Sequence, residues 1–111
     1  MRLDIKALQH LLRQFAAERH WQPFHTPKNL STALMVEAAE LAEIFQWMTP
    51  EQSLATAQDA ALHERIGDEI ADVLLYLLQV ADHTGVDIQD AVRRKLVKNA
   101  AKHPPPATQA D

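Results

Sequence analysis

The chain has 111 residues, a net charge of −4 and a hydrophobic fraction of 47%, which indicates one small folded domain. It contains two glycines and no cysteine, so the composition favours helices and excludes disulfides, zinc–thiolate sites and thiol nucleophiles. There is no long basic run, no signal-peptide pattern, and no apolar run longer than "VLLYLL". We therefore expect a soluble, cytoplasmic protein that binds neither nucleic-acid polymers nor membranes.

Apolar spacing and start signals predict the first two helices. Apolar residues recur at helical spacing from Ile5 to Phe15, which predicts an amphipathic helix over about residues 3–20. The next segment, "HWQPFHTPKN", contains two prolines and is predicted to be an ordered loop. Thr26 followed by Pro27 is typical of a helix start, and this second helix is predicted to run to about Met48.

Capping signals then predict two further helical segments. Thr49 and Pro50, with Gln52 in the position of a capping-box partner, predict that a helix restarts at once. A long helical pattern follows over about residues 59–83. Gly85 is a stop signal, because glycine adopts the left-handed conformation at a helix end without strain.

The end of the chain completes the predicted fold class. Asp87, with Asp90 three residues further on, opens a helix that is predicted to run to about Lys102. Prolines follow, so residues 104–111 are predicted to form a flexible tail. Residues 1–103 are therefore predicted to be one all-α domain, a bundle of four helices joined by short loops.

The long helix is apolar around most of its circumference. The apolar residues around Tyr76 are Val73, Leu74, Leu75, Leu77 and Leu78. A helix that is apolar all round is normally buried on all sides, and four short helices cannot easily bury one so fully. We therefore predict that the bundle core is completed by oligomerisation.

Two pairs of acidic residues interrupt the apolar stripes of the second and the long helix. Glu37 and Glu40 are three residues apart, and Glu69 and Asp72 repeat this spacing, so each pair lies on one helix face. Their place in apolar stripes predicts that the acids lie at or near the core-facing side. Glu43 continues the first row, and its role is left unassigned.

Converging carboxylates need a counter-charge. Two of them about 4 Å apart repel by ~1 kcal/mol in water and by ~4 kcal/mol at an effective dielectric constant near 20. Basic residues are scarce here, since the second helix has only Lys28 and the long helix only Arg65. A hard divalent cation such as Mg²⁺ is therefore favoured, and a di-iron site is not, because Glu-x-x-His motifs are absent. The competing interpretation is that these are ordinary solvent-facing acids.

Four segments together resemble a known family: "FHTPKNL", "EAAELAEIFQW", "DEIADVLLYLL" and "AVRRKLVKNAAKHP". In this order, from about Phe15 to Pro104, they resemble the all-α nucleoside triphosphate pyrophosphatases of the MazG type, in the dCTP pyrophosphatase-like branch. The resemblance implies Mg²⁺-dependent hydrolysis of a nucleotide to its monophosphate and pyrophosphate, with Mn²⁺ as an alternative ion. It also implies a homodimer or homotetramer.

The resemblance also assigns roles to individual residues. The implied metal ligands and catalytic residues are Glu37, Glu40, Glu69 and Asp72. The implied substrate-binding residues are Trp21, His25 and Trp47 around the base, and Lys95, Asn99 and Lys102 at the phosphates and sugar. Two positions depart from the family pattern: His103 replaces the tyrosine that commonly precedes the proline, and Leu12 stands where dCTP-preferring relatives can carry a histidine.

The sequence thus predicts a Mg²⁺-dependent (d)NTP pyrophosphatase that acts on dCTP or modified pyrimidine nucleotides. One of the four acids, or Glu43, would orient or deprotonate the attacking water, and the spacing does not decide which. Two alternatives stay open at this point. One is an enzyme resembling phosphoribosyl-ATP pyrophosphatase, and the other is a non-catalytic helical interaction module.

Overall fold

The computed structural model describes residues 2–107, and this part of the chain is all-α, without strands. Its helices are α1 (Ile5–Glu18), α2 (Pro27–Phe45), α3 (Pro50–Leu54), α4 (Ala60–Thr84) and α5 (Ile88–Lys102). Single turns of 3-10 helix lie at Gln22–Phe24 and Thr56–Gln58. The predicted fold class is confirmed. None of the helices within residues 2–107 is both long enough and apolar enough to cross a lipid bilayer.

Each α-helix begins at a polar side chain that accepts a hydrogen bond from a first-turn N–H group. These N-cap residues are Asp4, Thr26, Thr49, Asp59 and Asp87. Thr49 forms both halves of the predicted capping box with Gln52, at 2.9 and 3.1 Å. Such bonds satisfy N–H groups that have no partner within the helix, so the helix starts follow from local sequence.

The first two helices end earlier than predicted. The N–H of His20 donates to the carbonyl of Ala17 (3.2 Å) and that of Trp21 to the carbonyl of Ala16 (2.9 Å), which is the Schellman pattern of helix termination. This pattern places His20 in the left-handed region, at φ 56°, and α1 stops at Glu18. Helix α2 stops at Phe45 rather than Met48, because the N–H groups of Gln46 and Met48 donate to carbonyls three residues back, at 3.4 and 3.0 Å, instead of continuing the helical pattern.

Replacing His20 with glycine is expected to stabilise the protein by about 0.5–1 kcal/mol, because a Cβ atom is strained at positive φ and glycine is not. The expected change is a small rise in the midpoint of thermal unfolding, which circular dichroism measures. His20→Ala keeps the Cβ atom and should give no such rise. Equal midpoints for the glycine and alanine variants would show that the left-handed turn carries no strain.

Helices α2 and α4 run antiparallel and form the body of the chain. The ring of His25, just before α2, lies 6.5 Å from that of His83 near the end of α4. Helix α1 is fastened to α4 by an ion pair between Arg13 and Asp82 at 2.7 Å. The small core between these helices comprises Ala16, Leu30, Ile44, Leu78 and Ala81.

The chain is more extended than a compact domain of its size. Its radius of gyration is 18.1 Å, whereas about 13 Å is expected for a compact chain of this length. Residues 91–102 of α5 are exposed. Leu78 of α4 is buried, but its neighbour Leu77 is 45% exposed. Complete burial of α4 is therefore not achieved within one chain, and burial by oligomerisation stays a prediction.

The prediction of a flexible tail over residues 104–111 lies partly outside the described residues. Residues 104–107 are exposed and carry no helix, as expected for a segment with three consecutive prolines. Residues 108–111 lie outside the described part of the chain.

Candidate active site

Three carboxylates from two helices converge near the middle of the α2–α4 pair. Glu37 and Glu40 of α2 and Glu69 of α4 each place a carboxylate oxygen so that all three atoms lie within 4.8 Å of one another. The spacing of three residues puts Glu37 and Glu40 on one face of α2, and the antiparallel packing brings Glu69 opposite them. We call these residues, with Asp72, the acidic cluster.

The electrostatics of the acidic cluster are unfavourable when every carboxyl is ionised. The pKa of Glu37 is raised from 4.5 to about 7, first by removal of its carboxyl from water. The carboxylates of Glu69 and Glu40 within hydrogen-bonding reach, and the negative charges of Glu40 and Asp72, raise the pKa of Glu37 further. Without a cation, the cluster thus holds a proton up to about neutral pH.

One oxygen of the cluster is left without a partner. Oε2 of Glu69 is buried and has no hydrogen-bond partner among residues 2–107. A buried polar atom without a partner is destabilising, and carboxylate oxygens are the ligands that hard divalent cations prefer. The donor set therefore fits a divalent cation, which Glu37, Glu40 and Glu69 would hold with Asp72 beside them.

Asp72 connects the acidic cluster to an open groove. It lies close enough to Glu37 for its charge to raise the pKa of that residue, and it also borders a cavity of about 160 Å³. We call this cavity the aromatic groove. Its lining residues are Leu12, Phe15, Trp21, His25, Asp72, Leu75, Tyr76 and Gln79. A ligand in the groove would thus lie next to the acids.

The groove lies between α4 and a wall of aromatic side chains from α1 and the loop that follows it. Trp21 is 44% exposed, and its ring packs edge-on against Phe15 with the centroids 5.7 Å apart. The ring of His25 lies 6.1 Å from that of Trp21. The guanidinium carbon of Arg19 lies 3.4 Å from the centroid of the Phe15 ring. Since Trp21 borders the groove and is partly exposed, its indole ring is accessible for stacking by a ligand.

Local structure holds the loop that carries these rings. Trp21 is the last residue of the Schellman turn, and the 3-10 turn Gln22–Phe24 connects it to His25. The side-chain amide of Asn29 donates to the carbonyl of Phe24 at 3.0 Å, so the loop is tied to the first turn of α2. The loop is therefore ordered, as predicted.

His25 borders the groove, and its ring also lies near the ring of His83. Its pKa is lowered from 6.5, first by burial and then by the charge of His83. Burial disfavours the charged imidazolium, so His25 is neutral at physiological pH. A neutral imidazole offers one N–H donor and one acceptor nitrogen to a ligand.

Trp47 and Glu43 do not join this site within one chain. Trp47 follows the end of α2 and is 89% exposed, whereas Trp21 and His25 precede the start of α2. The two tryptophans therefore flank the acidic cluster from opposite ends of α2. Glu43 is exposed and is not one of the three acids whose oxygens converge.

The predicted phosphate- and sugar-binding residues lie on α5. Lys95, Asn99 and Lys102 are exposed, and the cavity that Lys95 borders contains none of the four acids. The end of α4 is twelve residues beyond Asp72, about 18 Å along the helix. Neither the aromatic groove nor the cavity beside Lys95 therefore joins these three residues to the acidic cluster.

Four residues of the groove were not identified as site residues from the sequence, and Leu12 was noted only as a departure from the family pattern: the four are Phe15, Leu75, Tyr76 and Gln79. Tyr76 lies four residues after Asp72 on the same face of α4, so helical spacing could have indicated it. Phe15 belongs to the apolar stripe of α1, and Gln79 lies seven residues beyond Asp72. In the sequence, Phe15 and Gln79 have no feature that separates them from ordinary helix residues. They become part of the groove only because α1 and the loop pack on α4.

The fold and the site define an all-α protein with an interhelical acidic cluster, suited to a divalent cation, beside an aromatic groove. A family model described as MazG-like matches residues 32–109. The chain therefore belongs to the MazG-like family, as the resemblance predicted.

Individual proteins are similar over most of this chain. A pyrophosphatase from Archaeoglobus fulgidus has a solved structure that superposes with a TM-score of 0.84 at 37% identity, covering 95% of this chain and 96% of that one. The dCTP pyrophosphatase 1 of Homo sapiens is 40% identical over 104 residues, and that of Bos taurus 37% over 100. These matches cover 90% of this chain but 59% of each relative, so the chain spans about three fifths of their length.

Proposed function

We propose that this protein is a divalent-metal-dependent nucleoside triphosphate pyrophosphatase, which hydrolyses a (d)NTP to the monophosphate and pyrophosphate. The observation that carries the proposal is the position of Asp72, which belongs to the acidic cluster and also borders the aromatic groove. A base in the groove would place its phosphates toward the acids. The names of the relatives, a pyrophosphatase and dCTP pyrophosphatases, support this activity.

The proposed metal ligands are Glu37, Glu40, Glu69 and Asp72, and the proposed ion is Mg²⁺ or Mn²⁺. Mg²⁺ is commonly bound by a few carboxylates together with water and substrate phosphates. When bound, such an ion neutralises phosphate charge and polarises a phosphoryl oxygen. The carboxylates of this chain hold and orient the ion, and the groove orients the base relative to them.

The proposed substrate is dCTP or a modified pyrimidine nucleotide. The groove has a volume of about 160 Å³, and a cavity of about 150 Å³ accommodates a ring of benzene size. A single pyrimidine ring therefore matches the space between Trp21 and Tyr76. The dCTP named in the relatives supports the same class.

We further propose that the active form is a homodimer or homotetramer. The chain exposes 9082 Å², whereas a compact 12.5 kDa protein exposes about 6,200 Å². Leu77 and the groove between α4 and α5 supply apolar surface for association. A second copy would be the source of Lys95, Asn99 and Lys102 at the acidic cluster, and of Trp47 near the base. Sedimentation equilibrium at micromolar concentration tests this, and a monodisperse monomer would contradict it.

The activity is tested by a pyrophosphate-release screen over canonical and modified nucleoside triphosphates, with and without Mg²⁺. We expect turnover only with a divalent cation, and the highest kcat/KM with cytosine nucleotides. Phosphoribosyl-ATP belongs in the same screen, because its preferential hydrolysis would replace the proposed substrate. No turnover of any nucleotide, together with no Mg²⁺ binding by calorimetry, would favour a non-catalytic interaction module.

Replacing Trp21 with alanine is expected to raise KM about tenfold, because stacking of a base on an aromatic ring contributes about 1–3 kcal/mol. Phe24→Ala is the matched control, since Phe24 lies in the same loop, is 66% exposed and does not border the groove. KM and kcat are measured from initial rates of pyrophosphate release. A wild-type KM in Trp21→Ala would show that this ring does not hold the base.

A further inference from the structure

Three side chains pack one on another between the end of α1 and the aromatic groove. Arg19 is the residue directly after α1, and its guanidinium carbon lies 3.4 Å from the centroid of the Phe15 ring. The ring of Phe15 in turn makes a T-shaped contact with Trp21, with the centroids 5.7 Å apart and the planes at 66°. We call Arg19, Phe15 and Trp21 the arginine–aromatic stack.

Two contacts hold the guanidinium of Arg19 on Phe15. Nη1 of Arg19 donates a hydrogen bond to the carbonyl of Phe15 at 3.0 Å. The backbone N–H of Arg19, which would donate to that carbonyl in a continuing helix, donates to the carbonyl of Ala16 at 3.2 Å instead. The side chain thus supplies a donor that the end of a helix leaves missing. The second contact is the cation–π attraction between the guanidinium and the face of the ring.

The neighbouring acid competes only weakly for this guanidinium. Oε2 of Glu18 lies 3.6 Å from Nη1 of Arg19, and the side chain of Glu18 is 73% exposed. An exposed ion pair contributes little to stability, because water and salt screen it. The position of the guanidinium is therefore set by Phe15 rather than by Glu18.

The orientation of the Trp21 ring depends on its side-chain contacts. A hydrogen bond from the N–H of Trp21 to the carbonyl of Ala16, at 2.9 Å, fixes the backbone there, but it leaves the side-chain torsions free. Trp21 is 44% exposed and Phe15 is 45% exposed, so neither ring is locked by close packing in a core. The rings of Phe15 and His25, at 5.7 and 6.1 Å, are therefore what holds the indole in place.

Phe15 and Trp21 border the aromatic groove, whereas Arg19 does not. A base stacked on Trp21 would thus have no contact with Arg19. We propose that Arg19 is a positioning residue for the substrate: it holds the ring of Phe15, and through Phe15 it keeps the ring of Trp21 in the orientation that stacks on the base. The inference rests on the proposed function, because that function places the base on Trp21.

The first experiment measures KM and kcat for dCTP in Arg19→Met, which keeps an unbranched side chain and removes the guanidinium. We expect KM to rise about threefold, because affinity falls with the fraction of binding-competent molecules and an exposed cation–π contact changes that fraction by a factor of about two to five. The value of kcat should stay within about twofold of the wild type. A wild-type KM would overturn the inference.

A double variant tests whether Arg19 acts through Trp21. In a Trp21→Ala background, Arg19→Met should change KM by less than about 1.5-fold, because two substitutions that act through one ring are not additive. An equal rise of KM in both backgrounds would show that Arg19 acts on the substrate by another route, such as attraction of its phosphates, and would overturn the inference.

Two further variants separate the shape of the guanidinium from its charge. Arg19→Lys keeps the charge but loses the flat group that lies on the ring, so its KM should remain above the wild-type value. Arg2→Met makes the same chemical change as Arg19→Met at another exposed arginine, which does not border the groove, and its KM should equal the wild-type value. A wild-type KM in Arg19→Lys, or a raised KM in Arg2→Met, would show that positive charge alone is responsible and would overturn the inference.

The ring of Trp21 also gives a readout that needs no turnover. The chain has two tryptophans, so Trp47→Phe leaves Trp21 as the only one. In that background, Arg19→Met should reduce the near-UV circular dichroism, which requires fixed aromatic rings, and leave the far-UV spectrum unchanged. If no nucleoside triphosphate is hydrolysed, the proposed function fails, while this loss of near-UV signal would still support the positioning of Trp21 by Arg19. An unchanged near-UV signal would overturn it.

Discussion

Replacing Glu40 with glutamine is expected to reduce pyrophosphate release at least about 100-fold while the helical fold is retained. The substitution keeps the size of the side chain and removes one negative charge from the three converging carboxylates. Glu40 is exposed, so its replacement should not disturb packing. Asp72→Asn should have the same effect on turnover. Pyrophosphate release at saturating Mg²⁺ measures activity, and circular dichroism with sedimentation confirms the fold and assembly.

Glu64→Gln is the matched control for these variants. Glu64 lies on α4 five residues before Glu69, is exposed, and is not part of the acidic cluster. Its replacement makes the same chemical change on the same helix and should leave kcat/KM within about twofold of the wild type. Full activity in Glu40→Gln or Asp72→Asn would refute the proposed metal site.

The metal-free protein is expected to lose stability as the pH rises from 4.5 to about 7. The pKa of Glu37 is raised from 4.5 to about 7 in the folded state, so between these values the folded chain binds more protons than the unfolded chain. The stability that protonated Glu37 contributes is therefore fully present below pH 4.5 and is lost as the pH rises through about 7. Thermal unfolding in chelator-treated buffer at pH 5 and pH 8 measures this loss.

Added Mg²⁺ is expected to raise the unfolding midpoint at pH 8 by at least about 5 °C, and by much less at pH 5. Metal ligands must be deprotonated to bind, and about 1 kcal/mol of stabilisation shifts the midpoint of a domain of this size by about 4–8 °C. NaCl at matched ionic strength controls for screening. Glu37→Gln should be more stable than the wild type at pH 8 without Mg²⁺ and should respond little to it. Equal Mg²⁺ effects at both pH values would contradict the proposed site.

The helical segments could be predicted because their signals are local. Thr26 and Thr49 cap helices through groups three residues away, and Gly85 ends α4 through its own left-handed conformation, at φ 71°. The same reasoning placed the end of α1 two residues too late. The left-handed residue there is His20, which carries no glycine-like signal in the sequence.

The sequence predicted the pairing of acids within each helix of the acidic cluster, but not the contact between the two pairs. The i, i+3 spacing placed Glu37 beside Glu40, and Glu69 beside Asp72, because a helix repeats every 3.6 residues. That the two pairs meet depends on how α2 packs against α4. The raised pKa of Glu37 follows from that packing, since Glu69 lies 32 positions further along the chain and still approaches its carboxyl.

The sequence by itself determined the helices, their caps and the two acid pairs, because these features depend on interactions within a few residues. Only the tertiary structure decided which side chains surround the acids. The ring of Phe15 faces Trp21 across a turn, and Arg13 meets Asp82 from 69 residues away. The second of these contacts requires α1 to pack on the second half of α4. The groove is therefore a property of packing, whereas the acid spacing is a property of the helix.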